Sequence, residues 1–269
     1  MRRFTLSTAV RILLLLVFCA SARAELLSNE EYTEVRDITR ELMRRFPPSE
    51  YVYLELGRSP APFGAVAEAM SPGSTRALPF TGAGFLWSLT KDGTRSIRAS
   101  NERAWERVNE HLGHYLPDPR DLGGKKIVII DYVRHANSLL AGQLAVREYY
   151  RGLDRGAVTV EAFGIVDPVT TGQAELRARD IPHTVLEARG LLARQLASGA
   201  YEELAPYPDE HNPITQGPKK LKAGTLNARL RTEVARRIRA DPQMANGCLQ
   251  PFSDIGAPAI PRVPVSVSP

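Results

Sequence analysis

One segment restricts the fold more than any other. Lys126-Ile127-Val128-Ile129-Ile130-Asp131 is an unbroken apolar run between a lysine and an aspartate. Apolar side chains at successive positions point to opposite faces of a strand, so this run needs cover on both sides of a sheet. The pattern predicts a buried strand with an acid at its carboxyl end. Ser138 then stands where it could cap a helix carrying Leu140, Leu144 and Tyr149 and ending near Tyr150, and a second β-rich run spans Val158 to Val166. Strand, helix and strand within about 40 residues form a crossover unit, which joins parallel strands.

The rest of the chain alternates in the same way. Ser28-Asn29-Glu30-Glu31 has capping-box spacing, and Tyr32, Val35, Ile38, Leu42 and Met43 recur at helical intervals up to Phe46, before Pro47-Pro48. Tyr51 to Leu56 reads as a strand stopped by Gly57, and a helix from about Pro60–Phe63 to Met70 follows, proline being tolerated in a first turn. Ala77 to Phe80 suits an edge strand or an ordered loop. Ser100 opens a helix with Ala104, Trp105, Val108 and Leu112 on one face. Weaker signals give a helix over 172–179, a strand over 183–186 and a helix over 188–197. Thr225 to Ile238 is a basic helix. These elements predict an α/β protein with a largely parallel sheet flanked by helices and a helical C-terminal extension. The expected layout is an α/β domain over 25–200, a polar connection and basic helix over 201–245, and a Pro-rich tail over 246–269.

Charge narrows the function classes. The chain has 35 Lys+Arg against 30 Asp+Glu, a net charge of +5. Arg2, Arg3, Arg11 and Arg23 lie in the first 24 residues, which hold no acid, so the balance beyond them is 31 against 30. That segment reads as a signal peptide: a Met1-Arg2-Arg3 n-region, the apolar run Ile12 to Ala20, and Ala22-Arg23-Ala24 as a small-x-small site before Glu25. The expectation is an exported protein, periplasmic or secreted, with no permanent membrane span, because the run is far shorter than the roughly 20 residues a bilayer needs. Phe18 is bulky where lipidation at Cys19 would need a small neighbour. Nearly neutral once processed, the chain is not expected to bind nucleic acid. Only Cys248 remains after cleavage, which excludes an internal disulfide and thiolate zinc sites. Hydrophobic residues at 43% and charged residues at 24% are globular proportions.

Two strand-to-helix turns carry the candidate chemistry: Gly57-Arg58-Ser59-Pro60 and Asp131-Tyr132-Val133-Arg134-His135-Ala136-Asn137-Ser138. In a parallel sheet both open on one edge. Each brings backbone N–H groups, a hydroxyl and an arginine to a helix N-terminus, a setting that suits an anion. The same residues also suit a plain structural role, with Gly57 ending a strand, Ser59 or Ser138 capping a helix and the arginines solvated.

The stretch Ile127 to Val133, its polar loop and Ser138-Leu139 at a helix start resemble the signature of phosphoribosyltransferase-fold proteins. Tyr53 to Ala61 is similar to that family's first strand and pyrophosphate loop, and the resemblance covers roughly residues 30–166. It implies that Asp131 meets ribose hydroxyls and is the candidate catalytic residue. It also implies that the backbone of Arg134, His135, Ala136, Asn137 and Ser138, with the Ser138 hydroxyl, cradles a 5-phosphate. Gly57, Arg58 and Ser59 would face a pyrophosphate, with Mg²⁺ present if a diphosphate is bound. Two positions depart from the family: Tyr132 replaces a second acid, and Ala136-Asn137 stands where Thr-Gly is usual. A tyrosine cannot supply the missing charge, so the implied function is binding of a phosphorylated or otherwise anionic small molecule, with turnover left open.

Three other readings compete. Gly57-Arg58-Ser59-Pro60-Ala61 approximates a nucleophile elbow, with Asp167 and His183 or His211 following in the order of a secreted serine hydrolase. Against it, Pro60 lacks the N–H that would form half of an oxyanion hole. Leu54 to Gly57 fits a methyltransferase only weakly. A non-catalytic interaction protein would use the fold without the site. His111 and His114 share a helix face but have no third ligand at metal spacing, and Lys219, Lys220, Lys222, Arg229, Arg231, Arg236, Arg237 and Arg239 suit a solvated basic face.

Overall fold

A computed structural model describes residues 25–80, 87–89, 95–97, 102–153, 158–166, 168–187 and 225–241. The expected signal peptide over 1–24, Ser100, the side chain of Ala104, Asp167, the helix expected over 188–197, the expected connection including His211 and the expected tail over 246–269 lie outside the described residues.

Five parallel strands form the central sheet: β1 (Tyr51–Leu56), β2 (Thr75–Leu78), β5 (Lys126–Val133), β6 (Val160–Val166) and β7 (His183–Val185), in the order β2-β1-β5-β6-β7. A separate antiparallel hairpin of β3 (Trp87–Leu89) and β4 (Arg95–Ile97) lies between β2 and β5 in sequence. The helices are α1 (Asn29–Arg45), α2 (Ala61–Met70), α3 (Glu102–Tyr115), α4 (Asn137–Gly152), α5 (Gly172–Arg177) and α6 (Thr225–Ala240). This is the expected α/β architecture, with Ala77-Leu78 inside an edge strand.

Strand alternation sorts the core into two layers. Tyr51, Tyr53, Val128, Ile130, Tyr132, Phe163 and Ile165 face α1, α2 and α6. Leu54, Leu56, Ile127, Ile129, Val133, Val160, Ala162 and Val166 face α3, α4 and α5. The chain leaves β1 through α2 to reach β2 on one side, then returns past the hairpin and α3 to place β5 on the other side. Right-handed crossovers built in opposite directions put their helices on opposite faces, as α2 and α4 are. The reversal between β1 and β5 is a topological switch point, where a crevice opens beyond the carboxyl ends of the strands.

The capping box on α1 forms as expected: Glu31 N–H donates to Ser28 Oγ at 3.1 Å, and Ser28 N–H to Glu31 Oε2 at 2.7 Å. Ser138, by contrast, does not cap α4. Helix α4 already begins at Asn137 with Ala136 as its N-cap and no side-chain cap, which leaves Ser138 exposed in the first turn. The basic C-terminal helix is present as α6 and packs on α2, with Leu230, Val234 and Ile238 buried in the core. Its arginines are only partly solvated. Arg231 meets Glu55 at 2.9 Å, and Arg237 is 9% exposed. His111 is a core residue whose Nε2 lies 2.6 Å from Pro79 O, so it is an internal donor, while His114 is exposed.

Candidate functional site at the switch point

Adjacent parallel pairing of β1 and β5 carries both candidate turns to the same sheet edge. Gly57 closes β1 with φ +73°, a conformation that L side chains rarely adopt, and its N–H donates to Leu78 O at 2.9 Å. The chain then turns through Arg58 and Ser59 into α2. Ser59 does not cap that helix: the N-cap is Pro60, and Ser59 Oγ donates across the switch point to Asp131 Oδ1 at 3.1 Å. One hydrogen bond thus joins the first loop to the second strand, over 72 positions in sequence.

Asp131 differs from its expected place. Strand β5 continues through Val133, so Asp131 lies within the strand opposite Gly164 of β6, two residues short of the loop. Pairing of Tyr132 with Ile165 and of Val133 with Val166 extends the strand, and Val133 is buried in the second layer of the core. Asp131 is 6% exposed. Burial raises its carboxyl from the ordinary 3.8 to about 7, with the Ser59 hydroxyl and the Tyr132 N–H opposing part of that rise. A buried acid that titrates near neutrality can accept or donate a proton to a bound hydroxyl. Tyr132 faces the opposite layer, where it is buried with the α1 side of the core. No second acid stands beside Asp131 on β5.

The second loop is arranged differently from the expected phosphate cradle. Ala136 N–H donates to Glu175 Oε2 at 2.9 Å, and Thr171 Oγ1 donates to Glu175 Oε1 at 2.8 Å. His135 Nδ1 lies 3.1 Å from Thr171 Oγ1 and 3.6 Å from Glu175 Oε1. Partial burial works against the Glu175 charge, but the hydrogen bonds from Thr171, Ala136 and His135 outweigh it and hold the carboxyl below its ordinary value. A carboxylate of the chain itself therefore sits where the loop was expected to hold a phosphate. Gly172 makes this approach feasible, since a Cβ there would lie 2.9 Å from Val133 O. Arg134, His135, Asn137 and Ser138 are exposed on the rim and Ala136 is buried.

The first loop also offers few amides. Pro60 and Pro62 have none, Gly57 N–H is committed to Leu78, and Ala61 N–H reaches Arg58 O at 3.3 Å. The switch point accordingly brings Ser59 and Asp131 together between the two arginine-bearing turns, but not two open backbone cradles. Glu175, 39 residues from Ala136, had no local sequence signal; an isolated glutamate in a short helix looks like any other surface acid. Of the hydrolase partners, His183 Nδ1 lies 2.9 Å from Ile181 O, on a strand separated from β1 by β5 and β6. Comparison of the chain with models of protein families, with curated proteins and with solved structures finds no match.

Proposed function

We propose that this is an exported, phosphoribosyltransferase-like protein that binds a small anionic molecule, phosphorylated or otherwise, in the crevice between the carboxyl ends of β1 and β5. The observation that carries this reading is the Ser59–Asp131 hydrogen bond at 3.1 Å, which ties the two candidate loops into one polar locus at the switch point. Asp131 and Ser59 take ligand hydroxyls. Arg58 and Arg134 supply positive charge at the mouth, which matters more than backbone N–H groups because Glu175 occupies the Ala136 amide. Export is supported by the charged, apolar and small-x-small pattern of residues 1–24. Binding is the function proposed. A diphosphate transfer would also require Mg²⁺ and the second acid that Tyr132 replaces.

Isothermal titration calorimetry with phosphoribosyl diphosphate, nucleotides and inorganic phosphate tests the reading. Saturable heat that Asp131→Ala and Arg58→Ala abolish supports it; no heat with any of these probes, or heat indifferent to both substitutions, refutes it. Covalent labelling of Ser59 by a fluorophosphonate probe would replace it with the hydrolase reading.

A further inference from the structure

The two ends of the described chain meet. Residues 25–29 form a short strap leading into α1, and α6 lies against it. Glu233 accepts the Leu26 N–H at 2.8 Å and the Leu27 N–H at 3.4 Å. One turn further along α6, Arg237 donates to Leu27 O at 2.6 Å, Ser28 O at 3.4 Å and Asn29 Oδ1 at 3.3 Å. Arg237 also pairs with Glu233 at 3.0 Å and Glu25 at 2.9 Å, and stands over the Tyr32 ring, 5.0 Å from its centroid. A carboxylate that takes amides beside a guanidinium that takes carbonyls grips the backbone itself. Burial changes sharply along the strap, from a Glu25 side chain that is 51% exposed to a Leu27 that is 0% exposed.

We propose that Glu233 and Arg237 form a backbone clamp that sets the end-point of N-terminal processing. A peptidase needs an extended segment with its amides and carbonyls available. The Leu26 N–H belongs to the Glu25–Leu26 bond and is held by Glu233, so this bond and those following it are protected until the strap opens. Among the described residues, Glu25–Leu26 is the first bond that the clamp holds. The small-x-small pattern Ala22-Arg23-Ala24, an unrelated signal, directs a signal peptidase one bond ahead of the first one held. The clamp rests on its own geometry and the export reading on the pattern, so either can fail alone.

The test is digestion of the full chain with a non-specific aminopeptidase, followed by intact mass. Trimming of the wild type is expected to halt with Glu25 at the N-terminus, and Glu233→Ala and the milder Glu233→Gln are expected to lose Leu26 and Leu27 at least 10-fold faster. Hydrogen exchange provides a second readout on folded protein, with Leu26 and Leu27 amides at least 10-fold more protected in the wild type than in Glu233→Gln. Wild-type trimming past Leu27 at the variants' rate, or equal amide exchange, overturns the clamp. Material recovered from an exporting host and starting at Met1 would overturn export while a halt at Glu25 in the digestion still upheld the clamp.

Discussion

Replacing Asp131 by asparagine tests the central claim about the site, that a carboxyl is held there against its own charge. Asp131 is 6% exposed, and burial raises its carboxyl from 3.8 to about 7. In the unfolded chain the group ionises near its ordinary value, whereas in the folded chain it keeps its proton up to about 7. Between those values the native state binds more protons than the unfolded one, so Asp131 makes stability fall as pH rises and the loss levels off above 7. At about 1.36 kcal/mol for each unit, the raised carboxyl lowers stability by about 4 kcal/mol at pH 8 and about 2 kcal/mol at pH 5, relative to acid pH where both states are protonated. The asparagine side chain has nearly the same shape, offers an oxygen to Ser59 and does not ionise. Asp131→Asn should therefore gain on the wild type by about 2–3 kcal/mol more at pH 8 than at pH 5.

Urea unfolding of both proteins at the two pH values measures this. Every other titrating group is common to both chains, so the difference of differences isolates Asp131. An equal effect at pH 5 and pH 8 would refute the reasoning, because it would mean that Asp131 ionises in the folded protein as it does in water. A larger advantage at pH 5 would reverse the sign and imply an unnoticed cation beside the carboxylate. In the binding reading proposed above, ligand affinity should move the opposite way, since asparagine keeps one accepting oxygen but replaces the other by an NH2 group that cannot accept, and it cannot carry the carboxylate charge.

The remaining predictions concern the supports of the site. Arg231→Met leaves Glu55, fully buried and carried on β1, without its 2.9 Å partner; it should cost about 3–5 kcal/mol in urea unfolding, most of it recovered by adding Glu55→Gln. Gly64→Ala on α2 would place a methyl 2.1 Å from the Glu55 carboxyl, so it should destabilise by about 1–3 kcal/mol or more and be relieved when Glu55 is shortened to Ala. Glu175→Gln should speed exchange of the Ala136 amide about 10-fold at neutral pH, reflecting about 1–2 kcal/mol of lost charge-assisted bonding. Because the Glu175 carboxyl is lowered, the wild-type tether should be at full strength above the ordinary carboxylate range and weaken as pH falls through the lowered value, which amide exchange across pH also reads.

The contrast between what was legible and what was not follows from how far each interaction reaches along the chain. β1 was readable to the residue because Tyr51–Leu56 alternates between the two core layers and Gly57 ends it with a positive φ. The parallel sheet was readable because the Ile127–Ile130 run needs cover on both faces, and α3, α4 and the α1–α2–α6 layer provide it. The end of β5 was not readable. Tyr132 and Val133 suit a loop or a strand equally well, and pairing with Ile165 and Val166 of β6, more than 30 positions away, decides the matter. The same distance hides the chemistry. Spacing could bring Ser59 and Asp131 to one edge but not reveal that they touch, and no local pattern marks Glu175 as the group that meets Ala136. Nor could the basic pattern of α6 tell a solvated face from one that neutralises Glu55 and grips residues 25–29, because both are written as arginines at helical spacing. Local patterning therefore specifies where a site opens, whereas its charge state depends on partners brought in by the fold. In this protein those partners, Ser59 for Asp131, Glu175 for the second loop and Arg231 for Glu55, turn two anion cradles expected to be open into a locus whose polar groups already bond to one another.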